Sequence, residues 1–158
     1  MGLRAAYTPY QAEVSQGTLQ AIWEYQSLVA ELLAMDVANA SLYDGSTAVA
    51  EAAMLAVRAT GRRRVVVSHD VHPHHREILR TYAQGPGMEI VEVPGATELV
   101  AAADGAACLV VANPSFFGTL VDLGAVADAA HAAGALAIAA VEGSYALPGA
   151  QNPPAVMS

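Results

Sequence analysis

The sequence predicts an α/β fold with three layers, in which helices cover both faces of a mostly parallel sheet. Of its 158 residues, 54% are hydrophobic and 14% are charged, a composition that favours a packed core over disorder. Apolar or β-branched runs alternate with helical segments in the order helix, helix, β, α, β, α, β, α, β. Two runs, 107–112 and 135–141, are continuously apolar. Such runs are typical of parallel strands that are covered on both faces.

The first part of the chain divides into an irregular segment and a helix. Residues 1–18 contain Pro9 and Gly17 and show no helical period, so we expect an irregular N-terminal segment. Apolar residues then recur at spacings of three and four and predict an amphipathic helix from about Ser15 to Met35. We expect Trp23 and Tyr25, both on this helix, to pack against neighbouring structure. A domain over 19–142 and an irregular tail over 143–158 complete the predicted organisation.

The remaining elements follow from caps, β-branched runs and glycine. Asp44, Ser46 or Thr47 can cap a second helix that ends near Gly61. We interpret the arginine cluster at 62–64 as a solvated turn before a strand. Beyond it, the sequence predicts strands over 64–68, 88–93, 107–112 and 135–141, helices before 85–87 and over 97–103 and 122–133, and loops over 69–75 and 113–118.

Composition also limits the partners and the compartment. The net charge of −8 argues against nucleic acid, because a phosphate-binding surface needs clustered cations. The longest apolar stretch, 132–141, is too short to span a bilayer, so we expect no membrane partner and a cytoplasmic location. Cys108 is the only cysteine, which excludes an internal disulfide. Its apolar neighbours indicate a buried strand thiol and not a nucleophile.

Three loops carry candidate binding residues. Gly45, Ser46 and Thr47 start a helix whose free N–H groups and hydroxyls could hold an anion, although an ordinary helix cap has the same pattern. Four histidines lie within 69–75, but Pro73 interrupts any helical pair of ligands, so no metal site is predicted. One histidine facing a ligand crevice is the favoured alternative. Asn113 before a proline could place its amide over a ligand or simply open a turn.

Read together, these segments resemble the glycine cleavage system P-protein family, the glycine decarboxylases. The resemblance covers nearly all of 7–142 and is to the N-terminal half, which is called subunit 1 in bacteria with a split enzyme. It therefore indicates a fragment. It rests on the motifs Tyr7-Thr8-Pro9-Tyr10-Gln11, Glu24-Tyr25-Gln26, Asp44-Gly45-Ser46-Thr47-Ala48-Val49-Ala50-Glu51-Ala52, His72-Pro73, Asn113-Pro114 with Phe116-Phe117-Gly118, and Ala130-His131-Ala132-Ala133-Gly134.

The resemblance implies part of the large domain of a fold type I transferase that depends on pyridoxal phosphate (PLP). The family decarboxylates glycine and passes the aminomethyl group to the lipoyl arm of the H-protein. Subunit 2, H-protein and glycine are therefore the implied partners. In the split enzymes, the lysine that binds PLP covalently belongs to subunit 2.

The resemblance also assigns positions to residues. Gly45, Ser46 and Thr47 match the positions where relatives hold the PLP phosphate. His72 matches the residue that stacks on the cofactor ring, and Asn113 matches a position near that ring. Glu142 stands, as a longer substitute, where relatives have the aspartate that pairs with the pyridine nitrogen. A contribution to the partner's active site is implied for Tyr7, Thr8, Tyr10 and Gln11.

No catalytic residue is predicted within this chain. All seven basic residues are arginines, so no lysine is available to hold PLP covalently. We therefore expect a subunit of an enzyme that is inactive alone. Two alternatives stay open: a non-catalytic interaction module, and a stand-alone phosphate- or nucleotide-binding α/β domain.

Overall fold

A computed structural model describes residues 11–33 and 35–141 of the chain. A short 3-10 turn over Ala12–Val14 precedes five helices and four strands in these residues. In chain order they are α1 (Gln16–Leu32), α2 (Gly45–Thr60), β1 (Arg64–Ser68), α3 (Pro73–Ala83), β2 (Glu89–Val93), α4 (Ala96–Ala101), β3 (Ala106–Asn113), α5 (Leu123–Ala132) and β4 (Leu136–Val141). None of these helices is long and apolar enough to cross a membrane.

The four strands form one sheet in the order β2-β1-β3-β4, and all neighbouring pairs are parallel. Val66 in β1 lies opposite Val91 on one side and Leu109 on the other. The prediction of a mostly parallel sheet is therefore confirmed. Each predicted strand forms, within two residues of its expected limits, because β-branched runs bounded by glycine and polar residues specify extended segments.

Alternate strand residues supply two separate cores, one on each face. Val65, Val67 and Val110 face α2 and α3, whereas Val66 and Leu109 face α4 and α5. Since both faces are covered, the three-layer prediction is confirmed as well. Cys108 is buried in the first core, and burial raises the pKa of its thiol to about 12. A thiol protonated at neutral pH is a core residue and not a nucleophile, as expected.

Helix α2 packs on the sheet through small side chains. Its capping box at Asp44 and Thr47 fixes the start, and Gly61 at φ +69° ends it in the left-handed conformation that favours glycine. Alanine allows the helix axis to approach the strands closely, so the core is thin and tightly interlocked. Its buried residues are Ser46, Ala48, Val49, Ala50, Ala52, Ala53 and Ala56.

The predicted N-terminal helix is confirmed, but its packing differs from the expectation. Helix α1 begins at Gln16, next to the expected Ser15, and ends at Leu32, three residues before the expected Met35. No residue of α1 is buried, and Trp23 and Tyr25 are 73% and 49% exposed, so the expectation that these two side chains pack against neighbouring structure is wrong. The division into 1–18, 19–142 and 143–158 stays a prediction.

The solvated-turn interpretation of the arginine cluster is wrong for two of its three members. Arg62 Nη1 donates to the carbonyls of Ala106 and Ala133, both at 2.8 Å. Arg64 Nη1 donates to the carbonyls of Ala102 and Asp104, at 2.8 and 2.7 Å. These guanidiniums bind the carbonyl ends of α5 and α4, where the helix dipole favours a cation.

An ion-pair network joins helix α3 to β2, which is an edge strand of the sheet. The Glu92 carboxylate accepts from Arg76 Nη1 at 2.6 Å, pairs with Arg80, and lies 3.4 Å from His69 Nε2. Burial alone would raise the pKa of Glu92, but hydrogen bonds from Arg76 and Arg80 and their positive charges outweigh it and lower that pKa. Glu92 is therefore ionised in the folded chain at neutral pH.

We expect Glu92→Gln to destabilise the fold near neutral pH by about 1–2 kcal/mol, because two arginines lose a charged acceptor. A lowered folded-state pKa contributes stability that is fully present above the unfolded-state pKa, and this contribution is lost as the pH falls from there through the folded-state pKa. Urea unfolding of both proteins at about pH 7 and about pH 3.5 measures the effect. Glu89→Gln, on the same strand and exposed, is the matched control. A penalty equal at both pH values would contradict the ionic role of Glu92.

Candidate functional site

Three loops meet at the carboxyl edge of the sheet, where β1 and β3 lie side by side. The helices that follow these strands, α3 and α5, pack on opposite faces. This is the crevice in which ligands bind in open parallel sheets. The N–H of Phe116, after β3, donates to the carbonyl of Asp70, after β1, at 2.7 Å. The start of α2 forms the third side.

The start of α2 is a closed helix cap. Asp44 Oδ1 accepts from the Thr47 N–H at 2.7 Å, and Thr47 Oγ1 accepts from the Asp44 N–H at 3.1 Å. Two of the donor groups that an anion would use are therefore already bonded within the cap. Gly45 is followed by a buried Ser46, so the predicted trio lies together at the crevice edge.

Asp44 carries a negative charge at this helix terminus. The pKa of its carboxyl is lowered, first by the backbone N–H of Thr47, then by the Thr47 hydroxyl and the Ser46 N–H, with a smaller contribution from His74; desolvation opposes these effects. An ionised carboxylate beside the free N–H groups competes with any phosphate and repels it. The ordinary-cap interpretation is thus the one that the geometry favours for this helix start.

His72 caps α3 and faces the loop that follows β3. Its Nδ1 accepts from the His74 N–H at 3.1 Å, and its ring meets the Phe116 ring edge-on at a centroid distance of 4.7 Å. Pro73 is the first residue of α3, so the predicted loop over 69–75 ends three residues early, at His72. Proline is favoured at the first helical position because its missing N–H has no helical partner there.

His74 is the crevice residue that the sequence analysis did not single out. Its Nδ1 and Ser46 Oγ are hydrogen-bonded at 3.0 Å, with the donor set by the imidazole tautomer. This bond joins the start of α3 to the start of α2 across 28 positions of sequence. The sequence feature that could have identified His74 is Pro73. A proline at the helix start places the following histidine in the first turn, where it can face a neighbouring helix terminus.

Asn113 stabilises the loop that follows β3. Its Oδ1 accepts from the Val121 N–H at 3.1 Å, and its peptide bond to Pro114 is cis. Ser115 Oγ, within the same loop, accepts from the N–H groups of Phe117 and Thr119. We expected Asn113 to open a turn, with or without placing its amide over a ligand, and the turn is present. The amide oxygen accepts a hydrogen bond from within the loop.

The histidines of 69–75 face different partners. His69 lies against Glu92, His72 against Phe116 and His74 against Ser46. Within the described parts of the chain, no three His, Cys, Asp or Glu side chains converge as metal ligands. The arrangement that the structure does show is an aromatic wall of His72, Phe116 and Phe117, with both phenylalanines at least half exposed.

The described residues do not by themselves form a complete PLP site. The sequence has no lysine, the α2 terminus carries the Asp44 carboxylate, and the Asn113 oxygen is bonded within its loop. Gln11 is exposed, and its carbonyl accepts from the Val14 N–H. The other assigned positions, Glu142, Tyr7, Thr8 and Tyr10, lie outside the described residues.

Sequence comparison places the chain among known proteins. The family model for the glycine cleavage system P-protein matches residues 1–154. The chain belongs to this family. Membership supports the glycine decarboxylase interpretation over a stand-alone nucleotide-binding domain and confirms the resemblance drawn from the motifs.

Similar curated proteins are bacterial subunits of the split enzyme. The probable glycine dehydrogenase (decarboxylating) subunit 1 of Geotalea uraniireducens is 53% identical over 143 residues, covering 86% of this chain and 32% of the relative. The protein of the same description from Koribacter versatilis is 47% identical over 158 residues, covering 94% and 35%. The chain thus spans about a third of the length of these relatives.

Solved structures agree with the fold class. A glycine decarboxylase (P-protein) of the glycine cleavage system, in inhibitor-bound form, is 45% identical with a TM-score of 0.81, covering 95% of this chain and 35% of that one. A sphingosine-1-phosphate lyase from Burkholderia pseudomallei shares the fold at a TM-score of 0.67 and 18% identity. The fold is that of the PLP-dependent type I transferases, as the resemblance implied.

Proposed function

We propose that the chain is the subunit 1 part of a glycine decarboxylase and has no activity alone. The complete enzyme would decarboxylate glycine with PLP and pass the aminomethyl group to the lipoyl arm of the H-protein. Subunit 2 would hold the cofactor covalently. The observation that carries the proposal is the match to the P-protein family over residues 1–154, in a stretch of 158 residues that contains no lysine.

In this proposal the chain supplies framework and surface to a shared site. The crevice wall of His72, Phe116 and Phe117 is exposed and aromatic, and its two phenylalanine rings are suited to excluding water from a partner's site. Gly45, Ser46, Thr47, His72, Asn113 and Glu142 would line the cofactor side, and Tyr7, Thr8, Tyr10 and Gln11 would reach the partner. The proposed location is the cytoplasm.

A glycine–bicarbonate exchange assay tests the proposal. We expect no exchange and no PLP aldimine absorbance from the purified chain, because it has no lysine side chain that could form the internal aldimine. Exchange should appear when subunit 2, PLP and lipoylated H-protein are added, and it should exceed the exchange of subunit 2 with H-protein alone. A borohydride-reducible PLP adduct on this chain, or equal exchange with and without it, would overturn the proposal.

A further inference from the structure

His72 is the crevice histidine whose two ring nitrogens the structure distinguishes. Its Nδ1 accepts from the His74 N–H at 3.1 Å. Because a backbone N–H can only donate, Nδ1 carries no proton, and the proton of the imidazole lies on Nε2. His74 has no such assignment, since the Ser46 hydroxyl can either donate to its Nδ1 or accept from it.

Three contacts hold the His72 ring in place. His72 is the N-cap of α3, so the bond from the His74 N–H belongs to the helix start. The ring meets Phe116 edge-on and lies tilted against His75, with centroid distances of 4.7 and 5.4 Å. A side chain whose rotamer is fixed by a hydrogen bond and by packing presents its free atoms in a defined direction. The Nε2–H group is therefore a preorganised donor.

This Nε2–H group is available to a ligand. His72 is exposed, and within the part of the chain that the structure describes no group accepts from its Nε2. The residue lies where the loops after β1 and β3 meet, the place at which open parallel sheets bind ligands. An N–H group suits an oxygen acceptor, and its bond to a carboxylate or another anionic oxygen is stronger than its bond to a neutral one.

The contacts favour hydrogen bonding over the stacking role that the family resemblance implies for His72. Stacking uses the face of the imidazole and makes no use of the tautomer that the helix cap sets. The two aromatic neighbours also crowd the ring, and neither is parallel to it: the interplanar angles are 84° for Phe116 and 40° for His75. A cofactor ring lying flat on the imidazole would have to fit beside both.

We infer that His72 binds an anionic oxygen of the ligand in the crevice through Nε2–H, and that it is a hydrogen-bond donor and not a stacking surface. The inference rests on the proposed function, under which this oxygen belongs to the glycine carboxylate or to PLP. It adds to that function the atom of His72 that acts and the chemistry that this atom recognises.

Nitrogen-15 NMR of the labelled chain at about pH 8, where a histidine side chain is commonly neutral, tests the tautomer without any partner. We expect Nε2 to be the protonated nitrogen of His72. The ring signals of this residue are identified by their absence from the spectrum of His72→Asn. A proton on Nδ1 of His72, or equal populations of the two tautomers, would overturn the inference and leave the proposed function untouched.

Three substitutions separate the donor, the cap and the ring. His72→Asn keeps an acceptor for the His74 N–H and removes the donor. His72→Gln places an amide N–H near the Nε2 position but loses the cap acceptor, and His72→Phe keeps only a flat ring. Urea unfolding checks the cap: the midpoint of His72→Asn should be unchanged, because asparagine is a good N-cap, whereas that of His72→Gln should fall.

Glycine–bicarbonate exchange with subunit 2, PLP and lipoylated H-protein tests the donor. His72→Asn and His72→Phe should raise the KM for glycine, or the PLP concentration required, by about tenfold, because each loses a hydrogen bond to a charged group. His72→Gln should show a smaller loss of about threefold, since it keeps an N–H donor. His131→Asn, the same change at an exposed position of α5, is the matched control and should behave as the unaltered chain.

The pattern among the variants decides the role of His72. An increase confined to the KM for glycine assigns the oxygen to the amino acid, and one confined to the PLP requirement assigns it to the cofactor. Exchange by His72→Phe equal to that of the unaltered chain would establish stacking and overturn the inference, as would equal losses in all three variants. If the unaltered mixture shows no exchange, the proposed function and the donor role fail together.

Discussion

Leu109→Ala is expected to cost about 3–4 kcal/mol of unfolding free energy, a large part of the total for a domain of this size. Leu109 lies in β3 between Val66 and Ala137, fully buried in the core that α4 and α5 cover. Most of its neighbours in that core are alanines and valines. Small residues on short, closely packed helices cannot extend into the space left by the isobutyl group, so the cavity persists.

Urea unfolding measures this effect, with Leu55→Ala as the matched control. Leu55 is on α2 but is 51% exposed, so the same chemical change should cost less than about 1 kcal/mol. Leu109→Met keeps the volume and should cost less than about 1.5 kcal/mol. Equal losses at Leu109 and Leu55 would show that the second core is loosely packed and would contradict the close-packing argument.

The strands were predictable because their signals are local. The β1 run of valines between arginine and serine, and the apolar β3 run after Gly105, specify their own conformation, and the structure has β1 at the predicted residues. The meeting of the loops after β1 and β3 was also predictable, since neighbouring strands of a parallel sheet end at one edge. The local sequence pattern and the order of the elements along the chain were sufficient for both predictions.

The side-chain roles at that edge were harder to predict, because they depend on groups that are distant in sequence. The pairing of Ser46 with His74 joins two helix termini, and no window around either residue contains the other. The sequence predicted that Asp44 could cap the helix. Whether its carboxylate accepts from the Thr47 N–H depends on the rotamer of the Asp44 side chain, which the sequence pattern does not specify. The exposure of α1 was missed for a related reason: periodicity shows that a helix has an apolar face, and not what covers it.

Arg62→Ala is expected to destabilise the fold by about 2 kcal/mol, because it removes two hydrogen bonds from a charged donor to carbonyls. Arg62 reaches residues 44 and 71 positions away, so it ties the start of β1 to the start of β3 and the end of α5. Urea unfolding measures the loss. Arg63→Ala, at an exposed neighbouring position, is the control and should be within about 0.5 kcal/mol of the unaltered chain.

The surroundings of Arg62 explain why its neighbour Gly134 is also constrained. Gly134 has φ +66°, and a Cβ atom there would lie 3.2 Å from Arg62 Nη2. Gly134→Ala should therefore be destabilising both for its backbone and for the guanidinium that it displaces. If the two sites act through this contact, the loss in Arg62→Ala/Gly134→Ala will be smaller than the sum of the single losses. Strict additivity would mean that Gly134 is required for its backbone conformation alone.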